Sequence, residues 1–116
     1  MIIGGHVILH SADPGADRAF LTTVLDTPYV DAGGGWLVIK LPPSEIAVHP
    51  SDGPPVQEFY LMSSDLDATV EQVTAAGASC APVTEARWGR LTRVSLPGGG
   101  EVGLYEPRHP LAISEP

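Results

Sequence analysis

Apolar and polar residues alternate along two stretches that match each other in outline. "HVILHSAD" occupies residues 6–13 and "EFYLMSSD" occupies residues 58–65. Both keep leucine, serine and aspartate in register, at Leu9/Leu61, Ser11/Ser63 and Asp13/Asp65, with a displacement of 52 positions throughout. Strict alternation with β-forming residues predicts a strand in each, and the closing aspartate suits the N-cap of a helix. Helical spacing follows in both halves. In residues 14–26, proline opens the segment and Phe20, Leu21, Val24 and Leu25 repeat on one side. In residues 66–77, Leu66, Val70 and Val73 share a face, and Gly77 supplies a terminating glycine.

After each helix the pattern predicts three short strands. They fall at 28–31, 36–41 and 45–49 in the first half, and at 79–83, 90–96 and 101–106 in the second. "LPPSE" and "LPGGGE" are the corresponding turns, and "SDGPP" at 51–55 reads as the linker. The expected fold is α+β, a single domain over 1–116. It consists of two β-α-β-β-β modules at about 4–50 and 56–107, with a surface tail at 108–116. The mixed sheets should cup an open cleft.

Side-chain parity divides each strand between two faces. Val7, Leu9, Phe59, Leu61, Ile46 and Val48 form an apolar set assigned to the helix side. The opposite set holds His6, Ile8 and His10; Glu58, Tyr60 and Met62; Ala47 and His49; and Val102, Leu104 and Glu106. Trp36, Val38 and Lys40, with Leu91, Arg93 and Ser95, extend it. A mixed face with polar residues at the strand ends reads as a pocket wall. Aligned on Pro50 and Pro107, His49 and Glu106 occupy one structural position. A proline biases the preceding residue to extended geometry, which fixes the direction in which both side chains leave the strand.

The chain of 116 residues is long enough for one domain with a real core. A content of 43% hydrophobic and 17% charged residues suits a folded chain, and a net charge of −8 argues against nucleic acid or an anionic membrane surface as partner. The single cysteine, Cys80, excludes an internal disulfide and fits a cytoplasmic setting. The apolar start "MIIGGHVILH" is too short to span a membrane and has no basic flank. The glycine triplets at 33–35 and 98–100 lack the strand-to-helix context of a phosphate loop and read as turns. Neither a serine-nucleophile motif nor a zinc-type cysteine cluster is present in the sequence.

Taken in order, "HVILHSAD", "EFYLMSSDLDATVEQVTAAG" and "WGRLTRVSLPGGGEVGLYEP" resemble the vicinal oxygen chelate superfamily. That group includes glyoxalase I, extradiol dioxygenases and bleomycin-resistance proteins. The resemblance spans roughly residues 6–107 and implies paired modules around a cleft. It also implies metal ligands on the first and last strands of each module, here His6, His49, Glu58 and Glu106. Position 58 departs from the metal-binding pattern, which usually has histidine there, and this argues against dioxygenase chemistry.

With a divalent ion (nickel, zinc, manganese or iron), the implied activity is that of a small-molecule metalloenzyme of the glyoxalase or dioxygenase type. The metal would act as a Lewis acid on a bound substrate oxygen, and Glu58 or Glu106 would move the proton. His10, Tyr60, Met62, Trp36, Arg93 and Leu104 are the expected substrate contacts. The alternative is a metal-free protein that binds a drug or metabolite, with Lys40 or Arg93 neutralising the glutamates. A homodimer is the expected assembly.

Overall fold

The structure, a computed structural model, describes residues 6–45, 47, 49–50, 52–54 and 56–114. It is a mixed α+β fold. Helix α1 spans Pro14–Leu25, β1 Tyr29–Asp31, β2 Leu37–Ile39 and β3 Tyr60–Met62. Helix α2 spans Leu66–Ala75, and β4 (Ser79–Cys80), β5 (Thr84–Ala86), β6 (Gly89–Ser95) and β7 (Glu101–Pro107) follow. A short 3-10 turn covers Ala112–Ser114. Strands β1 and β2 form a hairpin sheet of their own. The larger sheet runs β3-β7-β6-β4 with β5 also on β6. It is mixed, because β3 and β7 are parallel and the remaining pairs antiparallel.

Both helices begin by the same local chemistry. Ser11 Oγ accepts the Asp13 amide at 3.0 Å, and Ser63 Oγ accepts the Asp65 amide at the same distance. Asp13 Oδ1 then caps Ala16 N, and Asp65 Oδ1 caps Ala68 N, each at 3.1 Å. A side-chain oxygen thereby satisfies one of the free amides of each first turn. Pro14 fits the first position of α1 because no hydrogen bond is required of its nitrogen there. Helix α1 ends at Asp26, in the left-handed region at φ 51°. Helix α2 ends at Ala76, and Gly77 at φ 104° takes the chain out through a conformation that side chains disfavour.

The core lies between the helices and the large sheet. Leu66 and Val73 of α2 and Phe20 of α1 pack with Ala78, Val94, Leu96, Val102 and Leu104. Leu9, Phe59, Leu61 and Val70 close it from the side. Cys80 is half-buried against this cluster, and burial pushes its thiol pKa up. The β1–β2 hairpin stands outside the cluster, with Val30 and Trp36 64% and 67% exposed.

Three sequence expectations need correction. Residues 6–13 form no strand: Val7 and Ile8 are exposed, and only Leu9 reaches the core. A strand needs a partner backbone, and the segment is held instead at its far end, where Ala12 N donates to Gly98 O. The third strand of the first half falls partly outside the described residues at Ile46 and Val48; Glu45, Ala47 and His49 are not in a strand. The faces of β7 are also the reverse of those read from alternation. Val102 and Leu104 point into the core under α2, and Glu101, Gly103 and Tyr105 occupy the open face. Val102 to Tyr105 are buried on both faces of β7, by the core on one and by the Tyr60 and Trp88 rings on the other, so the apolar run carries no inside-outside contrast.

Candidate functional site

The open face of the large sheet is built around a missing side chain. Gly103 pairs with Tyr60 on β3 and Arg93 on β6. A Cβ at Gly103 would overlap the Tyr60 ring, so glycine lets that ring lie directly on the strand. Tyr60 then meets Trp88 edge-on at 6.0 Å and Tyr105 edge-on at 5.6 Å, and Trp88 meets Tyr105 at 5.0 Å. Such edge-to-face contacts align the positive edge of one ring with the negative face of the next. His109 stacks on Tyr105 at 6.0 Å, and its Nε2 shares a hydrogen bond with the Tyr105 hydroxyl at 3.2 Å. Burial, with the nearby Glu45 carboxylate, raises the Tyr105 pKa above the usual phenol value.

Charged residues border this aromatic wall. The Arg93 guanidinium lies 5.9 Å from the centre of the Tyr60 ring and pairs with Glu101 at 3.2 Å. The Glu101 hydrogen bond is the leading cause of its raised pKa, and Glu58 adds to it electrostatically. Glu58 Oε2 accepts from the Tyr60 hydroxyl at a long 3.4 Å. His6, Glu58, Arg93 and Glu101 together border a cavity of about 460 Å³.

The residues selected from sequence separate into groups. His6 and Glu58 share that cavity. His49 is exposed and lies outside its wall. Glu106 is half-buried, and its Oε1 accepts the Leu66 amide at 2.9 Å at the start of α2. Among the described residues, no group of three or more His, Cys, Asp or Glu side chains is arranged to hold a metal ion. As placed, the four implied ligands therefore do not make a metal-holding set.

Tyr60, Met62 and Arg93 lie on the open face, with Met62 in register with Tyr105. His10 is exposed. Leu104 is 1% exposed and belongs to the core, so it cannot contact a ligand on the open face. Trp36 sits on the separate hairpin, beneath the Arg18 guanidinium at 5.1 Å, and lines a different cavity.

Trp88, Tyr105 and His109 are the wall residues that pattern reading missed. His109 was expected on a surface tail, yet it is half-buried against Tyr105. The available signal was Gly103 itself, since a glycine inside a strand marks a close approach.

Solved structures share this fold. An antibiotic-binding protein, TnmS3 from Streptomyces sp. CB03234, superposes with a TM-score of 0.65 at 19% identity, over 92% of this chain and 98% of that one. A glyoxylase/bleomycin resistance protein/dioxygenase domain from Frankia sp. EAN1pec gives 0.62 at 17% identity, over 93% and 99%. FosX, a fosfomycin resistance protein from Listeria monocytogenes, gives 0.62 at 15% identity, over 99% and 100%. No protein-family model matches the sequence, and no curated protein matches it either. The chain shares the fold of these solved structures, among them a glyoxylase/bleomycin resistance protein/dioxygenase domain. Among the described residues, no helix is long and apolar enough to cross a membrane.

Proposed function

We propose that this chain is a small-molecule-binding protein that captures a partly apolar, aromatic compound on the open face of its large sheet. The observation that carries this reading is the Tyr60–Trp88–Tyr105 wall, cleared by Gly103 and bordered by Arg93. A flat ligand would gain stacking and apolar burial on the half-buried Tyr60 and Trp88 rings, backed by the buried Tyr105, with Arg93 and Glu58 giving it orientation. The similarity to TnmS3, an antibiotic-binding protein, supports a binding role. The negative net charge favours neutral or cationic ligands. Binding would be tested by titrating antibiotics, catechols and thiol adducts while following tryptophan fluorescence. Saturable quenching in wild type that is lost in Trp88→Phe supports the reading. A panel that leaves the emission unchanged would count against it.

A metalloenzyme is the second reading. It is favoured by one observation, that His6 and Glu58 border the same cavity. FosX and a lactoylglutathione lyase from Agrobacterium tumefaciens are among the similar folds. Against it stands Glu106, whose oxygen is engaged by the α2 amide.

A further inference from the structure

A second cavity, of about 1120 Å³, lies between α1, the β1–β2 hairpin and the segment 6–11. Its wall is mostly apolar, with Leu21, Val38, Phe59 and Leu61 among its side chains. It also contains a carboxylate. Asp17 is 5% exposed, and its Oδ1 accepts the Gly98 amide at 2.7 Å. Its Oδ2 is buried and has no hydrogen-bond partner among the described residues. A Cβ at Gly98 would overlap both Ser11 Oγ and the Asp17 carboxylate, so glycine lets the two side chains pack together against the Gly98 backbone.

A buried charge without a counter-charge is costly, and a buried acceptor without a donor adds to that cost. The first turn of α1, where Asp17 sits, offsets part of it through the helix dipole. That field supplies no donor to Oδ2. Arg18 and Lys40 also line the cavity, but Arg18 lies over Trp36, and neither makes an ion pair with Asp17 among the described residues.

We propose that this cavity is a second ligand site, which takes a molecule with an apolar body and a single ammonium head. The head pairs with the Asp17 carboxylate, with Ser11 beside it on the same wall. The body lies along Leu21, Phe59 and Leu61. One cation neutralises one buried carboxylate, and the two cations already on the wall, Arg18 and Lys40, disfavour a dication. The site is separate from the aromatic wall on the open face and does not require that wall to bind anything.

The test uses phenethylammonium and its neutral counterpart ethylbenzene on the intact chain, by calorimetry and by the Trp36 indole and Gly98 amide resonances. The ammonium should bind at least about tenfold more tightly than ethylbenzene, the margin expected from one compensated charge. Both resonances should move as it binds. Asp17→Asn retains an acceptor for the Gly98 amide and removes the charge, so the tenfold preference should disappear. Equal affinity for the two compounds in wild type would overturn the site whether or not the variant folds. So would a failure of the ammonium to move the Gly98 amide. If Tyr60→Ala abolishes ammonium binding and Asp17→Asn leaves it intact, the ligand sits on the open face. The second site then falls and the proposed function stands.

Discussion

Glu106 Oε1 accepts the backbone amide of Leu66 at 2.9 Å, tying the end of β7 to the first turn of α2 across 40 positions of sequence. The first half has no equivalent donor. The residue 52 positions before Leu66 is Pro14, which has no amide hydrogen. His49 and Glu106 precede prolines in the same way, yet only Glu106 has a helix amide to receive.

This bond predicts that Glu106→Ala lowers unfolding free energy by about 1–2 kcal/mol, as expected for a partly buried hydrogen bond to a charged acceptor. Urea denaturation measures it. Glu106→Gln, which retains an acceptor oxygen, should lose less. An alanine variant as stable as wild type would mean that the tether contributes nothing.

Gly103→Ala should disturb the open face directly, because the new methyl group would occupy the place of the Tyr60 ring. The expected loss is about 1–3 kcal/mol, typical of overpacking, with altered Trp88 emission as the rings separate. Retention of both stability and emission would show that Tyr60 does not lie on Gly103.

Alkaline stability follows from Tyr105. Its folded pKa is raised above the ordinary value of 10.0, first by burial. The neutral phenol is therefore the form that the fold favours. Its contribution is fully present below pH 10 and declines as pH rises from there through the higher folded value. Tyr105→Phe should flatten that decline, read as unfolding midpoints between neutral pH and pH 11. An unchanged slope would remove Tyr105 as its source.

Metal titration separates the two functional readings. The binding-protein reading expects protein purified without added metal to contain no stoichiometric nickel, zinc, manganese or iron. It also expects these ions, when added, to bind no more tightly to wild type than to His6→Ala. Tight binding of about one ion per chain, weakened in both His6→Ala and Glu58→Ala, would favour the metalloenzyme.

Assembly is also testable. Tyr29 and Val30 are 55% and 64% exposed on the hairpin, and Val56 is 77% exposed beside the linker. Surface of this kind suits a second copy of the chain. Light scattering at micromolar concentration should give the mass of a dimer, and Val30→Lys should shift it toward the 12.1 kDa of one chain. A wild-type chain that is monomeric throughout would refute this.

Local chemistry determined much of the architecture. The Ser-x-Asp caps at 11–13 and 63–65, the prolines and glycines that bound the helices, and the apolar face of Leu66, Val70 and Val73 all act within a few residues. They were therefore legible in sequence, and the α+β class and the superfamily resemblance followed from their order. The faces of β7 were not legible, because aromatic rings bury one face as the core buries the other, leaving no hydrophobic contrast along the strand. Nor was the role of Glu106, whose partner is a backbone amide 40 residues away and has no side-chain signature. Trp88, Tyr105 and His109 converge on Tyr60 only because parallel pairing sets β3 beside β7 and the β5–β6 turn brings Trp88 over them. Asp17 and Gly98 likewise meet only once α1 docks on the β6–β7 turn. The sequence by itself determined which helices form and how they are capped. Tertiary structure decided which side of the central strand joins the core, which carries the aromatic rings, and which carboxylates are already engaged, because all three depend on contacts between distant segments.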